Sequence, residues 1–260
     1  MTPSLPSPVR AAAVRIAEAL TEVGVRASGV LLVHSSLSAL GQVPGGAQTV
    51  IQGLLQALGR QGTLLMPALS YERVTSKNPV FDVRRTPSNV GLIPETFRRR
   101  PATRRSMHPT HSVCAVGPRA KPLLENHDQD TTPCGPHSPF HRLPDVGGQI
   151  LMLGCGLKPN TSMHAIEEEV RPPYLLTAPR TYVLIYPDGT PVERTYTPHD
   201  FNGWTQRYDR VAGILEPPAL RTGRVLDAEV HLLEARKLWD AALAALQTDP
   251  LFFVEREGTR

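Results

Sequence analysis

The chain has 260 residues, of which 40% are hydrophobic, 5% aromatic and 20% charged, and its formal charge is +4. That is enough for one large core, while no apolar run approaches the roughly 18 residues of a membrane span, and a basic balance so poor in aromatics argues for small anionic ligands and against nucleic acid. No charged-then-apolar leader is visible, and Cys114, Cys134 and Cys155 are too few and too widely spaced for a disulfide framework or a zinc motif, so the expectation is a cytoplasmic, reduced protein without a metal.

Ser7-Pro8 opens a helix predicted over 7–23, with Val9, Ala13, Ile16 and Leu20 on one face and Gly24 as its stop. A buried strand over 30–33 runs into His34-Ser35-Ser36. Past Gly41 and Gly45-Gly46 the pattern predicts a helix over 49–58 and a strand over 63–66. These strands are continuously apolar rather than alternating, which predicts parallel pairing covered by helices on both faces. Residues 67–89 read as a polar loop long enough to be functional. A helix over 92–100 and a strand over 112–116 follow, then a stretch over 118–148 rich in Pro, Gly, His and Asp. Ile150-Leu151-Met152-Leu153 is a further buried strand, broken by Gly154-Cys155-Gly156. Two β-runs, 182–186 and 192–197, flank Pro187-Asp188-Gly189-Thr190 as an antiparallel hairpin. A final amphipathic helix over 227–246 is expected to bury Val230, Leu233, Leu238, Ala242 and Leu246. The predicted organisation is an α/β fold, with a mostly parallel central sheet flanked by helices and an antiparallel hairpin subregion, about 178–226, in the C-terminal third. No repeat divides it, so the chain reads as a single domain over 1–260.

Chemistry concentrates at Asn160-Thr161-Ser162-Met163-His164-Ala165-Ile166-Glu167-Glu168. Three good N-cap residues place His164 in a first helical turn, and Glu167 and Glu168 fall three and four residues on, along the same face. A carboxylate there holds one ring nitrogen as a donor and raises the basicity of the other, which makes a general base; spacing alone does not choose between the two acids. His34-Ser35-Ser36-Leu37, where a strand meets a loop, is a candidate oxygen-binding turn. Arg104-Arg105-Ser106-Met107-His108-Pro109-Thr110-His111-Ser112 gathers donors ahead of another strand. The glycines fit no phosphate-binding or dinucleotide pattern, and no Gly-x-Ser-x-Gly elbow occurs. Cys155 reads as a small thiol in a tight turn rather than a nucleophile.

Taken in order, several of these pieces resemble the aminoglycoside 3-N-acetyltransferase family, whose members use acetyl-CoA. They are His34-Ser35-Ser36-Leu37 with Gly41 and Gly45-Gly46; Gly62-Thr63-Leu64 to Met66-Pro67; Phe81-Asp82; Thr86-Pro87-Ser88; Gly91 with Pro94-Glu95; Arg105-Ser106-Met107-His108-Pro109; Ser138-Pro139; and Asn160-Thr161 leading to His164 and Glu167. The family's spacing of histidine, two residues, then glutamate selects Glu167. The resemblance implies that His164 deprotonates the acceptor amine, with Glu167 orienting the ring and Thr161, or backbone N–H groups around Ser36 and Leu37, receiving the oxyanion. It implies a pantetheine arm along His34, Ser35, Ser36 and Leu37 and along Ser106 to His108, an arginine near 98–105 on the phosphates, and Tyr71, Glu72 and Asp200 at the acceptor. The partners implied are acetyl-CoA and a small-molecule amine. Because the 70–90 loop offers only Glu72 and Asp82 to a polycation, an amine other than an aminoglycoside is the alternative acceptor. Two other readings are a metal-dependent hydrolase built on His34, His108, His111 and His164, which lacks His-Glu-x-x-His spacing, and a non-catalytic CoA-binding protein.

Overall fold

The computed structural model describes residues 7–258. Its helices are α1 (Ser7–Val23), α2 (Gly46–Leu58), α3 (Leu92–Arg98), α4 (Ala120–Leu124), α5 (Pro139–Arg142), α6 (Met163–Val170) and α7 (Ala235–Thr248). Its strands are β1 (Val30–Ser35), β2 (Thr63–Pro67), β3 (Val80–Asp82), β4 (Arg104–Arg105), β5 (Val113–Val116), β6 (Gln149–Leu153), β7 (Arg180–Ile185), β8 (Pro191–Tyr196), β9 (Trp204–Gln206), β10 (Leu220–Val225), β11 (Ala228–Glu234) and β12 (Val254–Arg256).

Seven strands form the main sheet in the order β10-β11-β6-β1-β2-β5-β4. The expected parallel pairing is found at its centre, where β1 runs parallel to both β2 and β6. Outward from there every pair is antiparallel. The continuous apolar sequence of the central strands follows from burial on both faces. Leu31, Val33, Leu64, Leu151 and Leu153 pack with α1 and α2, while Leu32, Leu65, Ile150 and Met152 pack with α6 and α7. The molecule is thus a three-layer α/β/α stack, and the predicted hairpin, β7 with β8, adds a smaller sheet in the order β3-β7-β8.

Two expectations about elements are corrected. The 67–89 loop contains a strand, since β3 pairs in parallel with β7 and buries Phe81. The segment expected as one helix over 227–246 begins as a strand: Val230 and Leu233 lie in β11, antiparallel to β6, and the helix starts only at Ala235. Glu and Leu are good helix formers, but burial against β6 and pairing with β10 override that weak local preference. Among the described residues no helix is long and apolar enough to cross a membrane.

The three parallel strands deliver their carboxyl ends to one edge of the sheet. The chain leaves β1 at Ser35, β2 at Pro67 and β6 at Leu153. Gly154, with φ +73°, turns the last of these, and a Cβ there would sit 2.6 Å from the Ala39 Cβ. In open α/β sheets this edge is where ligands bind.

Candidate active site

A cleft of about 420 Å³ opens at that edge, in the size range of small-molecule sites. His164 and Thr161, from the β6–α6 connection, line it together with Tyr71, His111, His199 and Tyr208. No carboxylate stands in the lining; Glu167 and Glu168 lie one layer behind it. A narrower slot of about 120 Å³ shares Val90, Pro159 and Thr161 with the cleft and continues past His34, Ser35, Pro67 and Cys155.

His164 is the second residue of α6, so Glu167 stands one turn along the same face. His164 Nδ1 lies 3.1 Å from Glu167 Oε2 and 3.0 Å from the Tyr208 hydroxyl. Glu167 is wholly buried, and it accepts from Tyr174 on Oε1 and from Tyr208 on Oε2, each at 2.7 Å. A carboxylate only accepts, so Nδ1 carries the hydrogen and Nε2 is left with a lone pair. Both tyrosine hydroxyls are driven further from ionisation by burial and by the Glu167 charge. The arrangement is a fixed tautomer on a rigid acidic mount.

Glu168 faces elsewhere. It accepts from His199 Nε2 at 2.7 Å and from the Cys134 N–H at 2.8 Å, and Thr132 donates a third bond. Burial pushes its pKa up to about 7. The choice that sequence spacing left open is made by geometry: Glu167 mounts His164 and Glu168 mounts His199.

The remaining sequence candidates divide. His34 and Ser35 line the narrow slot, where His34 Nε2 and Ser35 Oγ are buried without partners and burial lowers the His34 pKa to about 3. Ser36 and Leu37 do not line it, and the Ser36 N–H donates to Leu153 O at 2.9 Å. Ser106 and His108 lie outside the linings of both cleft and slot. The Ser106 hydroxyl accepts from the Val113 N–H and pairs with His127 Nδ1, both at 2.9 Å, inside the protein. His108 Nδ1 accepts from the Thr110 and His111 N–H groups and its ring stacks on His127 at 4.9 Å, so it shapes the turn that presents His111. Tyr71 reaches the cleft with its ring 46% exposed. Glu72 and Asp200 are exposed and outside the lining; Asp200 closes its own turn by accepting from the Asn202 N–H.

The arginines near 98–105 also separate. Arg98 is held by Glu95 and Arg84 O, and Arg105 is half-buried, donating to Ser112 Oγ, Ala68 O and Thr86 O. Burial lowers the Arg105 pKa only to about 10, so it stays charged. Arg84, Arg85, Arg99 and Arg104 remain exposed on a groove of about 680 Å³. Burial raises the Cys155 thiol to about 11, which leaves it un-ionised at neutral pH.

Sequence reading missed His199, Tyr208 and Tyr174 in these roles, and gave Asn160, a cap and part of the Asn160-Thr161 match, no role in the chemistry. Asn160 Oδ1 accepts from the Ser162 N–H, while its Nδ2 is a buried donor without a partner at the cleft wall. None of these residues carries a motif; Tyr208 is 41 positions from the carboxylate it serves. His111, His164 and His199 each bring one ring nitrogen within 4.8 Å of the others, an arrangement able to hold a metal ion. His34 and His108, the other two ligands of the metal-hydrolase reading, are not in that group.

A family model described as aminoglycoside 3-N-acetyltransferase matches residues 32–247. The chain is 34% identical over 241 residues to aminoglycoside N(3)-acetyltransferase IV of a Salmonella species, covering 90% of this chain and 87% of the relative. Among solved structures it is similar to a histidine-to-alanine mutant of the aminoglycoside acetyltransferase AAC(3)-IVa in complex with a gentamicin, with TM-score 0.80, 30% identity and coverage of 97% and 93%. It is also similar to an AAC-IIIb binary complex with CoASH, with TM-score 0.78, 26% identity and coverage of 90% and 95%.

Proposed function

Because the chain belongs to the aminoglycoside 3-N-acetyltransferase family, we propose that it transfers the acetyl group of acetyl-CoA to the 3-amino group of an aminoglycoside, with His164 as general base. The observation that carries this reading is the buried His164–Glu167–Tyr208 linkage, which leaves one imidazole lone pair facing a ligand-sized cleft.

The chemistry follows from that lone pair. An ammonium group is no nucleophile until it loses a proton. With that proton given up to solvent, His164 Nε2 takes a second one from the nitrogen as it attacks the thioester carbonyl. The imidazolium so formed is stabilised through Nδ1 by Glu167, whose charge is fixed by two tyrosine donors. The C–N bond forms, the carbonyl π electrons move to oxygen, and collapse of the tetrahedral intermediate expels the CoA thiolate, to which the imidazolium passes its proton. Asn160 Nδ2, a buried donor with no partner, and the Thr161 hydroxyl stand at the cleft wall where such an oxyanion would develop. General-base help is worth about 10²–10⁴-fold, with positioning of two substrates contributing at least comparably.

Thr161 borders both cleft and slot, so a thioester delivered along the slot meets an amine held in the cleft. The pantetheine arm fits the slot past His34 and Ser35. Helix α3 lines the slot with Pro94 and, one turn later, the arginine groove with Arg98, which supports Arg85, Arg99 and Arg104 as counter-charges for the CoA phosphates. Tyr71, Phe201 and Gln206 surround the acceptor. The cleft and its second layer draw on segments from Leu69 to Tyr208, which supports a single acetyltransferase domain. Acetyl-CoA and its amine substrate meet in the cytoplasm on this reading.

The test is thiol release from acetyl-CoA with an aminoglycoside panel, followed by NMR assignment of the acetylated nitrogen. Acetylation at the 3-amino group supports the proposal. Turnover with simple amines but with no aminoglycoside would transfer it to the other acceptor class.

A further inference from the structure

The proposed mechanism uses His164 and Glu167 but has no task for the second pair, His199 with Glu168. His199 comes from the loop after β8, His111 from the turn before β5 and His164 from α6, so no spacing along the chain announces their meeting. Their ring centroids lie 4.8 to 5.8 Å apart. Each ring is anchored through one nitrogen: His164 Nδ1 on Glu167, His199 Nε2 on Glu168, and His111 Nδ1 on the Thr110 hydroxyl. Carboxylate-backed and hydroxyl-backed imidazoles with the other nitrogen free are the usual supports of a metal ligand.

A second observation points the same way. The His199 side chain is only 5% exposed, and its Nδ1 is sealed from solvent without any hydrogen-bond partner. A buried imidazole nitrogen without a hydrogen-bond partner, beside two other imidazoles, is a donor set able to take a cation. We propose that His111, His164 and His199 form a zinc-type divalent metal site, whose occupation competes with the acceptor amine and switches acetyl transfer off.

Zinc takes neutral imidazoles at about 2.0–2.1 Å, so in a tetrahedral site the three nitrogens stand about 3.3 Å apart. The three nitrogens lie within 4.8 Å of one another, so coordination requires them to draw together by about 1.5 Å at most. All three residues line the cleft, which leaves the fourth position for water on the open side. The inhibitory half of the inference rests on His164 being the base, because a lone pair bound to zinc accepts no proton. The binding half is independent of that reading.

The experiment is equilibrium dialysis of chelator-stripped enzyme against micromolar Zn²⁺, with a parallel Co²⁺ titration read in the visible spectrum. The expected result is about one metal per chain, with tetrahedral Co²⁺ bands, both lost in His199→Asn and protected against by saturating acceptor. His111→Asn serves as the second variant, and circular dichroism confirms that each is folded. Zinc should also abolish acetyl transfer, and a chelator should restore it. Absence of uptake, or uptake unchanged in both folded variants (an adventitious ion only), overturns the site. Stoichiometric zinc with undiminished transfer overturns the switch. If acetyl transfer to aminoglycosides itself is not detected, dialysis and the Co²⁺ spectrum still decide whether the site exists.

Discussion

Glu167 is mounted so that its charge has nowhere to go: no surface is exposed, one oxygen is held by Tyr174, and the other by Tyr208 and His164. Replacing it with the isosteric amide keeps the shape but removes the negative partner of an imidazolium, an interaction of about 1.5–3 kcal/mol. Glu167→Gln should therefore lower kcat by about 10–100-fold. Glu168→Gln, which alters the support of His199, Thr132 and the Cys134 N–H but leaves the mount of His164 intact, should lower it less; equal losses would contradict the assignment of Glu167 to the base. Tyr208→Phe should reduce both kcat and melting temperature, since it leaves a buried carboxylate oxygen short of a donor at about 1–3 kcal/mol. An unchanged melting temperature would mean that water replaces the hydroxyl. The arginines separate by kinetics. Arg104→Glu should raise KM for acetyl-CoA with kcat nearly constant, and an unaltered KM would place the phosphates elsewhere.

Helices α1 and α2 meet at Gly53, which sits in the middle of α2 where glycine is intrinsically poor. A Cβ at that position would fall 2.5 Å from Cγ2 of Ile16, itself fully buried. Gly53→Ala should thus destabilise by about 1–3 kcal/mol through overpacking, although alanine is the better helix former. A rise in melting temperature would show that α1 moves aside freely. The same tension between local preference and packing explains what was legible at this scale. Helix α1 was readable to both ends because its cap, apolar face and Gly24 stop all agree. Strand β1 was readable from its apolar run. Strand β11 was not, because Glu-Val-His-Leu-Leu-Glu continues without a breaker into α7, and only its partners β6 and β10 impose the extended form. Strand β3 was hidden likewise, since three residues of edge pairing with β7 leave no period to detect.

Across the whole molecule, several imidazoles are folded away in neutral form. Burial lowers His34 to about 3 and His127 to about 4, against 6.5 for an ordinary histidine. The unfolded chain takes up protons below pH 6.5 that the folded chain refuses, so their stabilisation is complete above that pH and drains away as pH falls toward 3–4. Glu168 opposes this weakly: its raised value of about 7 makes the folded chain the better proton binder between pH 4.5 and 7. The buried histidines outnumber it, so the melting temperature should fall from pH 7 to pH 5, and His34→Gln should flatten the fall. A melting temperature constant over that range would contradict neutral burial. The site shows the same whole-molecule character. The proposed base and the carboxylate behind it share one helix turn, so the pairing of His164 with Glu167 was visible in their spacing. The donors Tyr174 and Tyr208, and the partner imidazoles His111 and His199, converge from distant segments, and only the folded sheet edge gathers them. The internal hydrogen bonds of Ser106 and His108 were not legible, because a donor-rich sequence looks alike whether its donors face a ligand or the protein.

The decisive comparison is single-turnover acetyl transfer from acetyl-CoA to an aminoglycoside by the native chain and by His164→Asn. With Glu167, Tyr174 and Tyr208 still in place, the variant should bind both substrates, melt within a few degrees of the native chain and transfer acetyl about 10²–10⁴ times more slowly. A variant that folds normally and retains most of the native rate would show that the proton leaves the amine by another route.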